Sequence, residues 1–379
     1  MVESETQAPV LVVPHFRMST VFLNRPRVIN SLTLEMVRLL RLGLKEAQAD
    51  PRVQFVLLTG AGNRGYCAGG DLKVLAANVR AGRCDLTERF LQEEYEVDLM
   101  VHRFPKPVIV LAHGITMGGG LGLAAGADIV VAGEDTRIAM PETRIGFFPD
   151  VGATGWLFAR CPPGYPEYLG LTGYELEGAE CVRLGLATCL TRDARLPELR
   201  HMLESFTGTL PGDRPAATQQ LTGILEPWLE KNIPAHPELD AWVARHFAGK
   251  AGLKEIMASL SQCSLDDRWC QEVYQRLAER SPTALALTLK LLRLNEGRPL
   301  AEVFESEFRA GSWMIRQPDY LEGIRARLID KDDRPRWQPA SLEEVEGMEM
   351  DFGGGPGASG AGGDACATGP PPKPPAQPA

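Results

Sequence analysis

The sequence predicts an α/β protein whose strands stop about halfway along the chain and give way to helices. Three observations carry that expectation. Strand-like and helix-like patterns alternate over residues 10–200, the mark of an α/β core. From residue 201 the strand patterns vanish while helical periodicity continues. Residues 353–379 hold 8 Gly and 7 Pro, a composition that favours disorder over packing. The 379 residues therefore divide into an extension (1–9), an α/β core (10–200), a helical domain (201–350) and a disordered tail (351–379).

Val10–Val13 and Ser19–Leu23 read as two short strands, followed by the turn Asn24-Arg25-Pro26. Thr33 is a suitable N-cap for a helix to Ala49, with Val37, Leu40, Leu44 and Ala47 on one face, ended by Asp50-Pro51. Val53–Thr59 is an apolar strand leading into the glycine-rich loop Gly60–Gly65, and Leu86–His102 is helical. The cycle repeats with a strand at Val108–Ala112, a loop at Gly114–Gly120 and a helix opening at Leu121. Ile129–Ala132 and Arg137–Met140 are further strands, so strands come in pairs before a helix. Beyond residue 201, helices are expected at Trp228–Phe247, Pro282–Asn295 (Ser281 as N-cap), Leu300–Met314 and Leu321–Leu328.

The net charge of −9, with no basic stripe, argues against a nucleic-acid partner. Pro107–Ala127 is uncharged and long enough to cross a bilayer. It also contains His113, Thr116 and six glycines, which fit a buried strand, a glycine turn and a buried helix, so no membrane partner is expected. The acidic N-terminus lacks the basic and apolar regions of a leader, and the eight scattered cysteines form no CxxC pair. Reduced thiols in a cytoplasmic protein are the simplest expectation. The six histidines show no metal-ligand spacing, and HExxH, GxSxG and GxxxxGK[ST] motifs are absent, so no metal is expected.

Three constellations carry chemistry. Tyr66-Cys67-Ala68-Gly69-Gly70-Asp71 follows a strand and a glycine loop, brings backbone close to a ligand, and offers Asp71 as a helix cap. His113 to Gly122 follows a second strand and opens a helix, where free N–H groups attract negative charge. Two readings of that run stay open. Gly120-x-Gly122-x-x-Ala125 matches a dinucleotide fingerprint, whereas N–H groups from two separate loops would form an oxyanion hole for acyl chemistry. The third constellation sets Glu142 and Asp150 in apolar, proline-bounded sequence, where carboxylates gain raised pKa values suited to acid/base work.

Taken together, these motifs resemble the crotonase superfamily, and within it the 3-hydroxyisobutyryl-CoA hydrolase family. The likeness spans residues 10–345. It rests on Leu23-Asn24-Arg25-Pro26, Asn30-Ser31-Leu32, Cys67-Ala68-Gly69-Gly70-Asp71, Gly114-Ile115-Thr116-Met117-Gly118-Gly119-Gly120, Met140-Pro141-Glu142-Thr143, Phe148-Pro149-Asp150-Val151-Gly152, Ser281-Pro282-Thr283 and Ile329-Asp330-Lys331-Asp332. The resemblance implies a superhelix of ββα turns followed by an α-helical C-terminal domain, assembled as a homo-oligomer (trimer or hexamer). It implies that the Gly70 and Gly119 N–H groups hold a thioester oxygen and that Glu142 is the catalytic glutamate. Asp150 would contact a substrate 3-hydroxyl and assist proton transfer, while Glu94, Ala68 and Lys331 would border the substrate.

Enoyl-CoA hydratases of the superfamily carry a second catalytic glutamate two residues after the glycine run, and here that position is Gly122. The resemblance therefore implies hydrolysis of a short-chain 3-hydroxyacyl-CoA, as in valine catabolism, with coenzyme A as part of the substrate and no cofactor. An enoyl-CoA hydratase or isomerase and a non-catalytic acyl-CoA-binding homologue are the rival readings. Ala153-Thr154-Gly155-Trp156 departs from the hydrolase pattern, and Trp156 is expected to reshape the acyl pocket.

Overall fold

The computed structural model describes residues 8–264, 267–346, 348 and 350. The tail expected to be disordered, and residues 1–7 of the extension, lie outside them. The chain begins with strands β1 (Val10–Pro14) and β2 (Met18–Leu23), helix α1 (Leu34–Ala49) and strand β3 (Phe55–Gly60). The Thr33 side chain caps α1 by accepting from the Met36 N–H. Helices α2 (Leu72–Arg80) and α3 (Cys84–His102) follow, then β4 (Val108–Ala112), β5 (Ile115–Met117) and α4 (Gly119–Ala125). Next come β6 (Ile129–Ala132), β7 (Arg137–Ala139), α5 (Ala153–Arg160), α6 (Tyr165–Thr172), β8 (Leu176–Glu177), α7 (Ala179–Arg183) and β9 (Cys189–Leu190).

One sheet has the order β1-β2-β3-β4-β6-β9, parallel except for the β1–β2 hairpin, and a smaller sheet has the order β5-β7-β8. The pairing of strands before each helix now has its reason. β4 and β6 are neighbours in the large sheet, while β5 and β7, the strands that follow them, are neighbours in the small one. Each ββα turn thus gives one strand to each sheet, and stacked turns make a superhelix. Cys67, bridged to Thr116, places the segment after β3 in the same layer as β5. The run 107–127 folds as β4, β5 and α4, and among the described residues no helix is long and apolar enough to cross a membrane.

The remaining helices are α8 (Leu196–Glu204), α9 (Arg214–Leu225), α10 (Pro237–Phe247), α11 (Leu253–Ser261), α12 (Arg268–Ala278), α13 (Pro282–Asn295), α14 (Leu300–Met314), α15 (Pro318–Ile324) and α16 (Leu342–Val345). The boundary set at 200/201 falls inside α8. One face of the large sheet (Phe55, Leu57, Ile109, Leu111, Val131) packs on Leu199 and Leu203 of α8 and Leu221 and Leu225 of α9. The opposite face belongs to an apolar cluster that runs through Tyr95 and Phe148 to Leu285, Phe304 and Tyr320. Both faces of the sheet are therefore buried, which is why its strands read as unbroken apolar runs.

Three local expectations need correction. The helix expected over Trp228–Phe247 is confined to Pro237–Phe247, because Pro234 and Pro237 supply no N–H to a helix continuing through them. The expected cap at Asp71 does not form; its carboxylate instead accepts two hydrogen bonds from Arg25, both at 3.0 Å. The cysteines are not all thiols: Cys263 and Cys270 are bonded across the α11–α12 turn, whereas Cys67, Cys161, Cys181 and Cys189 are free.

Candidate active site

The superhelix stacks the ends of three successive strands, and with them the three constellations. The Cys67 N–H donates to Ile115 O at 3.1 Å, the Met117 N–H to Cys67 O at 3.0 Å, and the Gly118 N–H to Ala139 O at 3.3 Å. Upstream, buried Asn30 holds the first loop, its amide donating to Ala61 O, Gly65 O and Tyr66 O at 3.0, 3.1 and 3.0 Å. Gly69 has φ +86°, and a Cβ there would stand 3.1 Å from the Gly119 nitrogen, so only glycine lets the two loops approach. Among the described residues the Gly70 and Gly119 N–H groups donate to no protein acceptor. Both remain available for an oxygen of a bound molecule, which is the oxyanion-hole alternative. Gly120, by contrast, is packed against Cys67, where a Cβ would come within 2.5 Å of the Cys67 oxygen.

Carboxyl groups surround these donors. Glu142 opens the short helical turn Glu142–Ile145 after β7, and its Oε1 lies 3.0 Å from where a Gly118 Cβ would be. Glu94 reaches in from α3; a Cβ on Gly119 would run into its Oε1. Its neighbour Glu93 faces outward and pairs with Arg38 and Arg41 at 2.6 and 2.8 Å. Asp150 is buried and accepts a 2.7 Å hydrogen bond from the Tyr95 hydroxyl.

Burial sets the electrostatics. It pushes Glu142 well above the usual carboxylate range, with the charge of Asp150 adding to the effect. It pushes Asp150 up to about 6, against the downward pull of the Tyr95 hydrogen bond. Glu94 is raised by burial and by the charges of Asp98, Asp150 and Glu142.

Three residues that sequence reasoning missed support the site. Asp98, one turn beyond Glu94 on α3, is fully buried, and neither of its oxygens has a partner among the described residues. Burial, then Asp150 and Glu307, push its carboxyl well upward. Glu307, on α14, accepts from the Gly152 N–H at 2.6 Å, the Thr154 N–H at 3.0 Å and the Thr154 hydroxyl at 2.6 Å. It thereby fastens the turn that follows Asp150. Tyr95 is the third. The signal for Asp98 was present: acids four apart on an otherwise apolar helix face. Glu307 left no local signal, because its partners are 155 and 153 positions away.

A cavity of about 460 Å³ joins these groups. Ala68, Gly70, Gly119, Glu94, Glu142 and Asp150 line it, with Phe90, Leu91, Phe147, Ile315 and Tyr320 as apolar walls. The exposed Arg144 and Lys331 and the largely buried Arg327 also line it. The structure therefore gathers Ala68, Gly70, Glu94, Gly119, Glu142, Asp150 and Lys331 around one cavity. Trp156 is the exception to expectation: it is not among the lining residues, and its indole donates to the Val151 carbonyl at 3.0 Å. Trp156 thus braces the Asp150 turn and leaves the acyl pocket alone.

Gly122 lies buried in α4, where a Cβ would stand 2.6 Å from the Cβ of Val151. The space beside Asp150 that a side chain at 122 would enter is already filled.

The family profile for enoyl-CoA hydratase/isomerase matches residues 18–352. A protein of Gallus gallus named 3-hydroxyisobutyryl-CoA hydrolase, mitochondrial, is 33% identical over 353 residues, covering 92% of this chain and 89% of its own length. The protein of that name from Homo sapiens is 34% identical over 330 residues, covering 85% and 82%. Among solved structures, an enoyl-CoA hydratase from Rhodobacter sphaeroides 2.4.1 superposes with a TM-score of 0.79 at 34% identity, covering 90% of this chain and 96% of its own. A carnitinyl-CoA dehydratase from Mycobacterium thermoresistibile gives 0.80 at 32% identity, covering 91% and 95%. These matches agree with the stacked ββα turns and the helical second half, and the chain belongs to the enoyl-CoA hydratase/isomerase family, the crotonase superfamily.

Proposed function

We propose that the protein hydrolyses a short-chain 3-hydroxyacyl-CoA thioester, with 3-hydroxyisobutyryl-CoA of valine catabolism as the substrate and 3-hydroxyisobutyrate and CoA as products. The observation that carries this reading is the pairing of a buried Asp150, held by Tyr95, with a position 122 closed by Val151. Hydration of a double bond calls for two carboxylates on the substrate, and the one expected at 122 has no room.

In this mechanism the Gly70 and Gly119 N–H groups polarise the thioester carbonyl, a contribution of about 2.7–4 kcal/mol for one such donor. Glu142 either attacks the carbonyl to give a mixed anhydride or takes a proton from the attacking water. After a single turnover in ¹⁸O water, label in Glu142 would establish the anhydride route with attack at the glutamyl carbon. Asp150 orients the 3-hydroxyl and returns a proton to the leaving CoA thiolate. Arg144 and Lys331 supply positive charge for the phosphates of CoA. The reaction as proposed consumes water alone and calls for no redox cofactor.

The test is free-thiol release from 3-hydroxyisobutyryl-CoA. Wild-type protein is expected to release thiol, and Glu142→Gln and Asp150→Asn to lose most of that activity. Undiminished release by Glu142→Gln would overturn the assignment. The second reading, hydration of an enoyl-CoA, is favoured by the names of the two structural relatives. Loss of crotonyl-CoA absorbance without thiol release would support it. Tight acyl-CoA binding with no turnover would point to a binding protein. Homo-oligomeric assembly is part of the proposal and is measured by light scattering. The cytoplasmic location expected from the sequence contrasts with relatives named as mitochondrial, and fractionation of the source cells decides it.

A further inference from the structure

Far along the chain from these carboxylates, three helix ends bring together His246, Cys263 and Cys270. His246 is in the last turn of α10, Cys263 lies just past α11, and Cys270 is in the first turn of α12. None of the three lines the acyl-CoA cavity. His246 Nε2 stands 3.9 Å from Cys263 Sγ and 3.8 Å from Cys270 Sγ, while Nδ1 sits 2.8 Å from the Ser259 hydroxyl. One ring nitrogen is thus held in place and the other is aimed between two sulfurs. The histidine and Cys270 are buried, and Cys263 is half-buried.

We propose that, once its two cysteines are reduced, this cluster binds one zinc ion through His246 Nε2, Cys263 Sγ and Cys270 Sγ, with a water in the fourth position. The donor set is one that zinc favours, an imidazole and two thiolates. The shape agrees as well. Zinc at about 2.3 Å from sulfur and about 2.0 Å from nitrogen, in tetrahedral geometry, sets each N–S edge near 3.5 Å. The two N–S edges here, 3.9 and 3.8 Å, are within a few tenths of an ångström of that, and the S–S edge must open to about 3.8 Å once the disulfide is reduced. The Ser259 contact to Nδ1 is the outer contact that fixes the orientation of a ligating histidine. Cys270 sits where the N-terminal N–H groups of an eleven-residue helix favour its thiolate.

The cysteines are bonded to one another in the structure, so metal binding requires a reductant. A dithiol gives two electrons to the sulfur–sulfur bond, leaving two thiols and its own cyclic disulfide. Zinc then displaces one proton from each thiol. The disulfide and the metal site are alternative states of the same two cysteines; the disulfide ties α11 to α12, and the metal would tie α10 to both.

The experiment uses the full chain, reduced with dithiothreitol, desalted without oxygen and titrated with Co²⁺, then Zn²⁺. One equivalent of cobalt is expected to produce thiolate-to-cobalt charge-transfer bands and the intense visible bands of a tetrahedral ion, both erased by zinc. Cys263→Ser and Cys270→Ser should each abolish the charge-transfer bands or reduce them severalfold, with circular dichroism and thiol release from acyl-CoA unchanged. Because the Trp242 indole lies 4.8 Å from the His246 ring, cobalt should also quench tryptophan fluorescence at the same stoichiometry. The proposal fails if the reduced wild-type chain retains no cobalt or zinc after desalting, if the bands persist in Cys263→Ser, or if the disulfide survives the dithiol in the folded protein. These outcomes are independent of whether the thioester is a substrate.

Discussion

Replacing Tyr95 with phenylalanine removes one hydrogen bond and little else. The hydroxyl donates to Asp150 Oδ2 at 2.7 Å, and the ring, 5.6 Å from Phe304, keeps its packing. A hydrogen bond to a charged acceptor is worth about 1.5–3 kcal/mol. At about 1.36 kcal/mol per pKa unit, its loss corresponds to roughly one to two units. The direction follows from the donor: it favours the carboxylate, so removing it raises Asp150 further above about 6. On the proposed mechanism one of Asp150 and Glu142 is ionised and the other protonated, so their titrations would bound a bell-shaped profile. Tyr95→Phe should therefore move the limb of the kcat/KM profile that Asp150 controls to higher pH by about one to two units. The assay is a thiol-reagent progress curve across the bell, with thermal stability as the control. A profile superimposed on the wild type, or one lowered equally at every pH, would refute the reasoning.

Other substitutions test the remaining geometry. Gly119→Ala drives a methyl group into the Glu94 carboxylate and misplaces an oxyanion donor, so kcat should fall on the order of 10²–10³-fold; a loss smaller than about tenfold would remove Gly119 from that role. Gly122→Glu collides with Val151 and should give no crotonyl-CoA hydration and a lower melting temperature, from overpacking of about 1–3 kcal/mol. Full stability in that variant would show the space to be open. Glu307→Gln leaves one acceptor oxygen for three donors and should lower stability by about 1–3 kcal/mol while kcat falls more than KM changes; wild-type kcat in the destabilised variant would confine Glu307 to a structural role. Removing residues 353–379 should leave thiol release unchanged.

What could be read from the sequence was local. The caps at Thr33 and Ser281, the glycine runs at 69–70 and 118–120, and the acids at 142 and 150 each sit in a short segment whose chemistry is self-contained. The asparagine–arginine motif was visible only as a motif. Its physics, Asn30 gathering three carbonyls and Arg25 holding Asp71, depends on chain that returns later. Tyr95 and Glu307 were missed for that reason, since each acts through a partner distant in sequence, whereas Asp98 was missed although its spacing from Glu94 was visible. Trp156 shows the opposite error: a large residue next to a motif was read as a pocket wall, yet its indole turns back to the Val151 carbonyl.

The interior holds more acid than the proposed thioester hydrolysis needs, and this constrains how the site would work. Glu94, Asp98, Glu142, Asp150 and Glu307 are all buried, and each is shifted upward, Glu307 up to about 8. Of the cations that line the cavity, Arg144 and Lys331 are exposed, and the largely buried Arg327 is neutralised by Asp333 at 2.6 Å. A set of five ionised acids would oppose the negative charge that develops on a thioester oxygen. In the proposed mechanism the upward shifts favour the neutral carboxyls and so weaken that opposition. Uncharged donors would then meet the oxygen. Backbone N–H groups satisfy that requirement, and glycine at 69 is what allows the two loops to lie close, since a Cβ there would stand 3.1 Å from the Gly119 nitrogen. On this argument the glycines at 69, 70 and 119 and the surplus of buried carboxyls are one arrangement, in which the low charge of the cavity makes a pair of amides sufficient.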